Sequence, residues 1–439
     1  MSLDPAFVPI LPRTAGATPE GHLTIGGCDA VDLAREFGTP LYVFDEVELR
    51  EGCREWLGEF RSRHDETTVT YAAKAYLGRA LARLMAEEGL GLDVASGGEL
   101  AIACAAEFPM ERVYFHGNNK SAQELWEGLA AGVGHVVIDN FHEAVLLNDA
   151  AGDLKRRQPV LLRVSPNIDP HTHEYITTGA LDSKFGIAIA TGQAEEAVLS
   201  LMASPGLELV GLHAHIGSQI FETEPHQQAC RTVLEFAARM KERHGFTLQV
   251  LSAGGGFAIQ YLRDAPAPAR AVYAEAIVSA VKEGCTAHGL PLPRLTVEPG
   301  RSLAGRAGVA LYGVGARKEI PGVRTYVTVD GGMADNIRPA LYGAAYEALV
   351  ANRLEGGTSE RVTIAGKYCE SGDVLIRDAD LPRLWAGDIL AIPGAGAYCL
   401  SMASNYNGSL KPAVLFVKDG QARLVRRRET YDDLMRCDV

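Results

Sequence analysis

The sequence predicts an α/β protein built on a parallel (β/α)8 barrel, with an all-β domain formed by its C-terminal part and joined by N-terminal strands. Three observations carry this. Short β-branched runs alternate with helical stretches between residues 67 and 300. Eight such runs fit in that span, the number a closed barrel needs. After Gly308 the texture changes to short alternating runs broken by glycine, proline and aspartate, which is the pattern of antiparallel strands.

The eight runs are Thr67–Lys74, Gly91–Ser96, Arg112–Gly117, His135–Asn140, Pro159–Ser165, Leu209–Ser218, Thr247–Gly254 and Arg294–Pro299. The first five begin 21 to 24 residues apart, enough for one strand, one helix and two short loops. Ser121–Gly132 and Gln227–His244 between them carry apolar residues at helical spacing. A doubly wound open sheet is the rival arrangement. Its dinucleotide fingerprint needs G-x-G-x-x-G after the first strand, and Ala75-Tyr76-Leu77-Gly78 does not provide it. Thr325–Val329, Arg361–Ile364, Asp388–Ile392 and Ala413–Lys418 are expected strands of the second domain, with Leu23–Gly26 and Leu41–Phe44 as candidates to join that sheet. The barrel is placed at 48–307, and 1–47 with 308–439 make up the β domain.

Composition excludes several functions. Among 439 residues the net charge is -13, which argues against nucleic acid or an anionic membrane as the main partner, since both require a basic face. No apolar run reaches the ~18 residues that span a bilayer. No basic stretch followed by an apolar one marks the N-terminus for secretion. The eight cysteines form no C-x-x-C pair, so neither a disulfide framework nor a structural zinc site is expected, and a reducing cytoplasm suits them.

The strand ends carry the chemistry, and in a barrel those ends share one face. Lys74 closes the first strand. It either snorkels to solvent or sits desolvated as an amine nucleophile for a carbonyl cofactor. Gly254-Gly255-Gly256 follows a strand, either as a flexible turn or as backbone N–H groups that approach a phosphate. His213 and His215 are expected on one face of a strand, as metal ligands or with one imidazole stacked on an aromatic ring; His171 and His173 add to the metal reading, that of a metal-dependent barrel hydrolase. No carboxylate-rich shell accompanies them, and no metal is expected. Glu298 and Arg301 close the eighth strand, as a plain ion pair or as partners of a pyridine nitrogen and of a carboxylate or phosphate. Cys369-Glu370-Ser371-Gly372-Asp373 places a thiol among acids in a loop. Gly394-Ala395-Gly396-Ala397-Tyr398 and Ser404-Asn405-Tyr406-Asn407 form a second loop region, which composition alone does not distinguish from ordinary surface.

Taken together and in order, Tyr71-Ala72-Ala73-Lys74-Ala75, Asp93-Val94-Ala95-Ser96, His215-Ile216-Gly217-Ser218-Gln219, Gly254-Gly255-Gly256, Glu298-Pro299-Gly300-Arg301 and Cys369-Glu370-Ser371-Gly372-Asp373 resemble the alanine-racemase-like, fold type III decarboxylases that use pyridoxal 5'-phosphate. The resemblance runs from about Pro40 to the C-terminus. It implies a cofactor-binding TIM-like barrel and a β-sandwich-like domain that completes the active site. It implies Lys74 as the Schiff-base lysine, His215 against the cofactor ring, Glu298 at the pyridine nitrogen, and Ser218 with Gly254, Gly255 and Gly256 at the phosphate. Asp93 and Arg163 fall near the cofactor, and Tyr398 at its phosphate and substrate end. A homodimer is implied too, with Cys369 and Glu370 reaching the partner's site and Cys369 as the acid that returns a proton to carbon.

Within that family the sequence is similar to the diaminopimelate branch, through His171-Thr172-His173-Glu174-Tyr175-Ile176-Thr177-Thr178-Gly179, Ser183-Lys184-Phe185-Gly186 and Asn336-Ile337-Arg338-Pro339-Ala340-Leu341-Tyr342. The implied reaction takes meso-2,6-diaminopimelate to L-lysine and CO2, the last step of lysine biosynthesis. Arg301, Arg338, Tyr342, Glu370 and Tyr398 are the implied substrate contacts. The ornithine decarboxylases of eukaryotic type carry an aspartate where this chain has Gly343. Other basic amino acids (D-ornithine or lysine, arginine, carboxynorspermidine) are the alternative substrates. One departure is Gly408-Ser409-Leu410-Lys411-Pro412, where the branch carries an arginine- and proline-containing stretch.

Overall fold

The computed structural model describes residues 3–168, 183–355 and 358–439. The chain forms two compact units: one of residues 52–258 and 268–300, the other of residues 1–51, 259–267 and 301–439. No helix among the described residues is long and apolar enough to cross a membrane.

The first unit is a closed parallel barrel. Its strands are Thr67–Ala72, Gly91–Val94, Val113–Phe115, His135–Ile138, Gln158–Ser165, Leu207–His213, Val250–Ser252 and Arg294–Val297. Each pairs in parallel with the next, and Arg294–Val297 returns to Thr67–Ala72 to close the ring. All eight expected runs hold a strand, most of them shorter than the run. Parallel strands are buried on both faces, so they read as nearly continuous apolar runs. Tyr114, Val137, Leu161, Val210 and Val250, from five different strands, pack as one buried cluster in this unit. The helices are set by local chemistry. Ser121 caps the helix Ala122–Ala131 through a reciprocal pair with Glu124, and Gly132 ends it in the left-handed region at φ 87°.

The second unit holds a mixed sheet, not a purely antiparallel one. Leu41–Asp45 pairs antiparallel with Gly308–Ile320 but parallel with Ala413–Lys418. Arg324–Val329 likewise runs parallel to Ser359–Ala365. Leu23–Ile25 does not join this sheet; it pairs with Gly16–Ala17 and Cys28–Asp29 in a small sheet of its own. Leu41, Val43, Val309, Leu311, Leu415 and Val417 present one face to a core shared with Leu23 and Ile25.

His226, on the barrel-unit helix Glu224–His244, tests the packing by pH. Its ring stacks on Phe257 at 5.3 Å between centroids, and neither ring nitrogen has a hydrogen-bond partner among the described residues. Burial lowers its pKa to about 4. The unfolded chain takes up a proton near pH 6.5, which the folded ring refuses, so stability is lost as pH falls from about 6.5 through about 4, by on the order of 3 kcal/mol. Urea unfolding at pH 7 and pH 4.5 should show a smaller loss for His226→Phe than for the parent; equal losses would remove His226 from this role.

Candidate active site

At the C-terminal ends of the barrel strands the backbone builds the site. The eighth strand ends at Val297, and Glu298 donates its N–H to the Gly254 carbonyl at 2.8 Å. Gly254 and Gly256 have φ of 68° and 104°, in the region that favours glycine. A Cβ on Gly254 would lie 2.5 Å from the Ala214 oxygen, one on Gly256 2.7 Å from the Gly217 oxygen, and one on Gly255 would collide with the Glu298 carbonyl. The triple glycine is therefore required by close packing of three strand ends, beyond any need for flexibility.

His215 does not share a strand face with His213, contrary to the expectation above. The sixth strand stops at His213, and Ala214 donates to the Ser252 carbonyl before the chain turns away. His215 then lies in a loop, where its Nδ1 accepts the Gly255 N–H at 3.1 Å. That bond leaves the ring's hydrogen on Nε2. Burial, with Lys74 and Arg163 nearby, holds the His215 pKa well below the usual histidine value, so the ring is neutral. Ser218 follows in the same loop, half-buried. Ile216 and Ile220 anchor this loop in an apolar cluster with Ile168 and Ala229. His171 and His173 lie outside the described residues, as does His171–Gly179.

Glu298 is the best-held side chain of the group. Its Oε1 accepts the Ser252 hydroxyl at 2.7 Å and its Oε2 lies 3.2 Å from His213 Nε2. Burial acts to raise its pKa, but His213, His116 and the Ser252 hydroxyl outweigh it and keep the group well below the ordinary carboxylate range. Asp93 goes the other way: burial and the charge of Glu298 push it well above that range. Two nearby buried carboxyls do not both ionise, and here the negative charge belongs to Glu298. His116, His213 and Glu298 each offer a donor atom within 4.8 Å of the others. Both carboxylate oxygens already take part in the hydrogen bond and close contact just described, and we assign no ion there.

Of the two alternatives for Lys74, the solvent-exposed one holds. The first strand ends at Ala72, and Lys74 sits on a 3-10 turn, Ala73–Ala75, with its side chain exposed, not desolvated. Its charge still acts on Asp93, Glu99 and His215. Arg163 is buried, 3.6 Å from Asp139 and over the Phe185 ring at 4.5 Å. Asp139 also accepts the Gly186 N–H at 2.8 Å, which ties down the chain around Phe185.

In the second unit, Arg301 and Arg338 converge on one hydroxyl. Both donate to Tyr261 Oη, at 2.7 Å and 3.0 Å, and Arg338 also bonds Tyr346. Arg301 lies 4.7 Å from the Tyr398 ring centroid. Tyr398 itself has φ 61°, a strained backbone for a tyrosine. Tyr342 ends the short helix begun by Arg338, half-buried. Cys369 and Glu370 are exposed. The Cys369 N–H donates to Asn407 Oδ1 at 3.0 Å, and Tyr406 Oη donates to the Cys369 carbonyl at 3.4 Å. The thiol loop and the Ser404–Asn407 loop are thus joined, beside a cavity of about 640 Å³ that Tyr368, Ser409 and Arg428 also line. His116, Ser252 and Tyr261 are not among the residues expected from the sequence. A polar residue closing an apolar strand was the available signal for the first two; Tyr261 had none.

Residues 46–305 match the family model of the pyridoxal-binding domain of pyridoxal-dependent decarboxylases. A diaminopimelate decarboxylase of Bacillus subtilis is 48% identical over 426 residues, 97% of each chain. One from Mycobacterium tuberculosis is 44% identical over 98% of each. The crystal structure of the M. jannaschii diaminopimelate decarboxylase in complex with L-lysine superposes with a TM-score of 0.92 at 36% identity, over 98% of both chains.

Proposed function

This chain belongs to the pyridoxal-dependent decarboxylases, and on that premise we propose that it converts meso-2,6-diaminopimelate to L-lysine and CO2. The carrying observation is the likeness to diaminopimelate decarboxylases over nearly the whole chain, joined to a barrel mouth that has the chemistry such a cofactor needs. The residues fit pyridoxal 5'-phosphate. Gly254 and Gly256 form a turn that a Cβ would fill, Glu298 is a buried carboxylate held ionised, and Lys74 offers an amine close to Asp93 and His215.

When bound, pyridoxal phosphate supplies an electron-accepting ring for the pair of electrons left on carbon as CO2 departs. Lys74 would hold it covalently. Glu298 would keep a proton on its ring nitrogen, and neutral His215 would lie against the ring. Ser218 and the turn of Gly254, Gly255 and Gly256 would hold the phosphate, with Asp93 and Arg163 in the same mouth. Arg301, Arg338, Tyr342, Tyr398 and Glu370 take the substrate, whose distant carboxylate and ammonium call for partners of both signs. The Cys369 thiol gives a proton to the carbon that lost its carboxyl group. The enzyme works as a homodimer in which Cys369 and Glu370 serve the partner's site. Its eight free cysteines support a reducing compartment, the cytoplasm.

Purified protein given meso-diaminopimelate should release lysine and CO2 in equal amounts and leave ornithine and arginine untouched. Turnover of either of those two with none of diaminopimelate would overturn the substrate. Gly255→Ala should cost about 1–3 kcal/mol of stability, from overpacking against the Glu298 carbonyl. It should also lose cofactor on dialysis that the parent retains; a variant as stable and as yellow as the parent would contradict the glycine cradle.

A further inference from the structure

Glu298 and Asp93 pose a problem that their own chemistry does not solve. Two carboxyls are buried in one mouth, 5% and 7% exposed, and only one bears the charge that can hold a proton on a ring nitrogen. The difference between them lies in their neighbours. His213, 1% exposed, meets Glu298 Oε2 at 3.2 Å, while Ser252, wholly buried, donates to Oε1 at 2.7 Å. Ser252 is itself fixed, because its Oγ accepts the Gly254 N–H at 3.2 Å. The His213 Nδ1 has no hydrogen-bond partner among the described residues, so the ring hydrogen sits on Nε2 and points at Glu298. His116 packs edge-on against His213 at 5.0 Å. Its Nε2 lacks a hydrogen-bond partner among the described residues and stands 3.7 Å from both Asp93 Oδ1 and Glu298 Oε1.

We infer that His213, backed by His116, is a positioning residue that assigns the negative charge of this carboxyl pair to Glu298 and fixes the direction of its carboxylate. This rests on the reading of Glu298 as the partner of the cofactor's ring nitrogen. With a leucine at 213, Oε2 loses its donor, and Glu298 becomes a second acid competing with Asp93 for a proton. The proton then moves from the ring nitrogen to Glu298, and the ring accepts electrons less well. A glutamine at 213 places an N–H donor near the Nε2 position and restores the contact.

The test uses full-length holoenzyme loaded with pyridoxal phosphate labelled with 15N in the ring, whose chemical shift reports whether that nitrogen carries a proton. The parent and His213→Gln should show a protonated nitrogen; His213→Leu and Glu298→Gln should show it deprotonated. The kcat of His213→Leu should fall about 10- to 100-fold, the scale of a lost hydrogen bond to a charged group, with KM little changed. Should the leucine variant not hold cofactor, His213→Asn, which keeps a polar group but cannot reach Oε2, is read the same way. A protonated nitrogen in both His213→Leu and His213→Asn, with Glu298→Gln deprotonated, overturns the inference alone. A protonated nitrogen in Glu298→Gln overturns the reading of Glu298, and the inference with it.

Discussion

Replacing Lys74 by alanine should lower turnover by on the order of 10⁴ to 10⁶, the scale seen when a covalent nucleophile is removed. The residue lies outside the barrel's packed core, on a turn after the first strand with its side chain exposed. Its loss therefore leaves no cavity, and the fold should survive. Circular dichroism and the urea midpoint should match the parent, which separates a chemical defect from an unfolded protein. Lys74→Arg keeps the charge near Asp93, Glu99 and His215 but offers no amine that loses its proton readily. It should be nearly as inactive as the alanine variant. A lysine acting only through its charge would leave Lys74→Arg close to normal.

Cys369→Ala should cost about 10²- to 10⁴-fold in turnover, the contribution of a positioned proton donor, with cofactor still bound. The thiol is exposed, and its loop is held by backbone bonds to Asn407 and Tyr406 that do not involve sulfur. Alanine should thus leave the loop in place. Because Cys369 is proposed to serve the partner's site, mixing the inactive Lys74→Ala and Cys369→Ala proteins should restore activity. Each mixed dimer then holds one site with both groups intact. Normal turnover of Cys369→Ala would remove the thiol from the chemistry. No recovery on mixing, with mixed dimers present, would place Lys74 and Cys369 in the same subunit's site.

Much of the barrel was legible because parallel strands bury both faces and are separated by helices at regular intervals. Strand direction leaves no such signal. The apolar run Ala413–Lys418 marks a strand but does not say that it runs parallel to Leu41–Asp45. His213 and His215 appeared as a face-sharing pair because period-two spacing was extended past the strand's last hydrogen bond at Ala214. The consequence is chemical: one imidazole holds Glu298 and the other faces the glycine turn, so the pair is not a metal chelate. Lys74 lies on a turn two residues past the first strand rather than closing it, and its solvation was not readable, since burial depends on what the rest of the fold packs over it. Ser252 and His116 escaped notice for a related reason. Ser252 closes one apolar strand and His116 directly follows another, and only the closed barrel turns both toward Glu298.

The most direct measurement is the near-visible absorption spectrum of the purified protein, before and after borohydride, with the labelled peptide mapped. A yellow band, abolished by reduction and leaving the label on Lys74, is the expected result. Absence of a band after incubation with pyridoxal phosphate, or a label on a different lysine, would contradict the assignment of Lys74 as the residue that holds the cofactor.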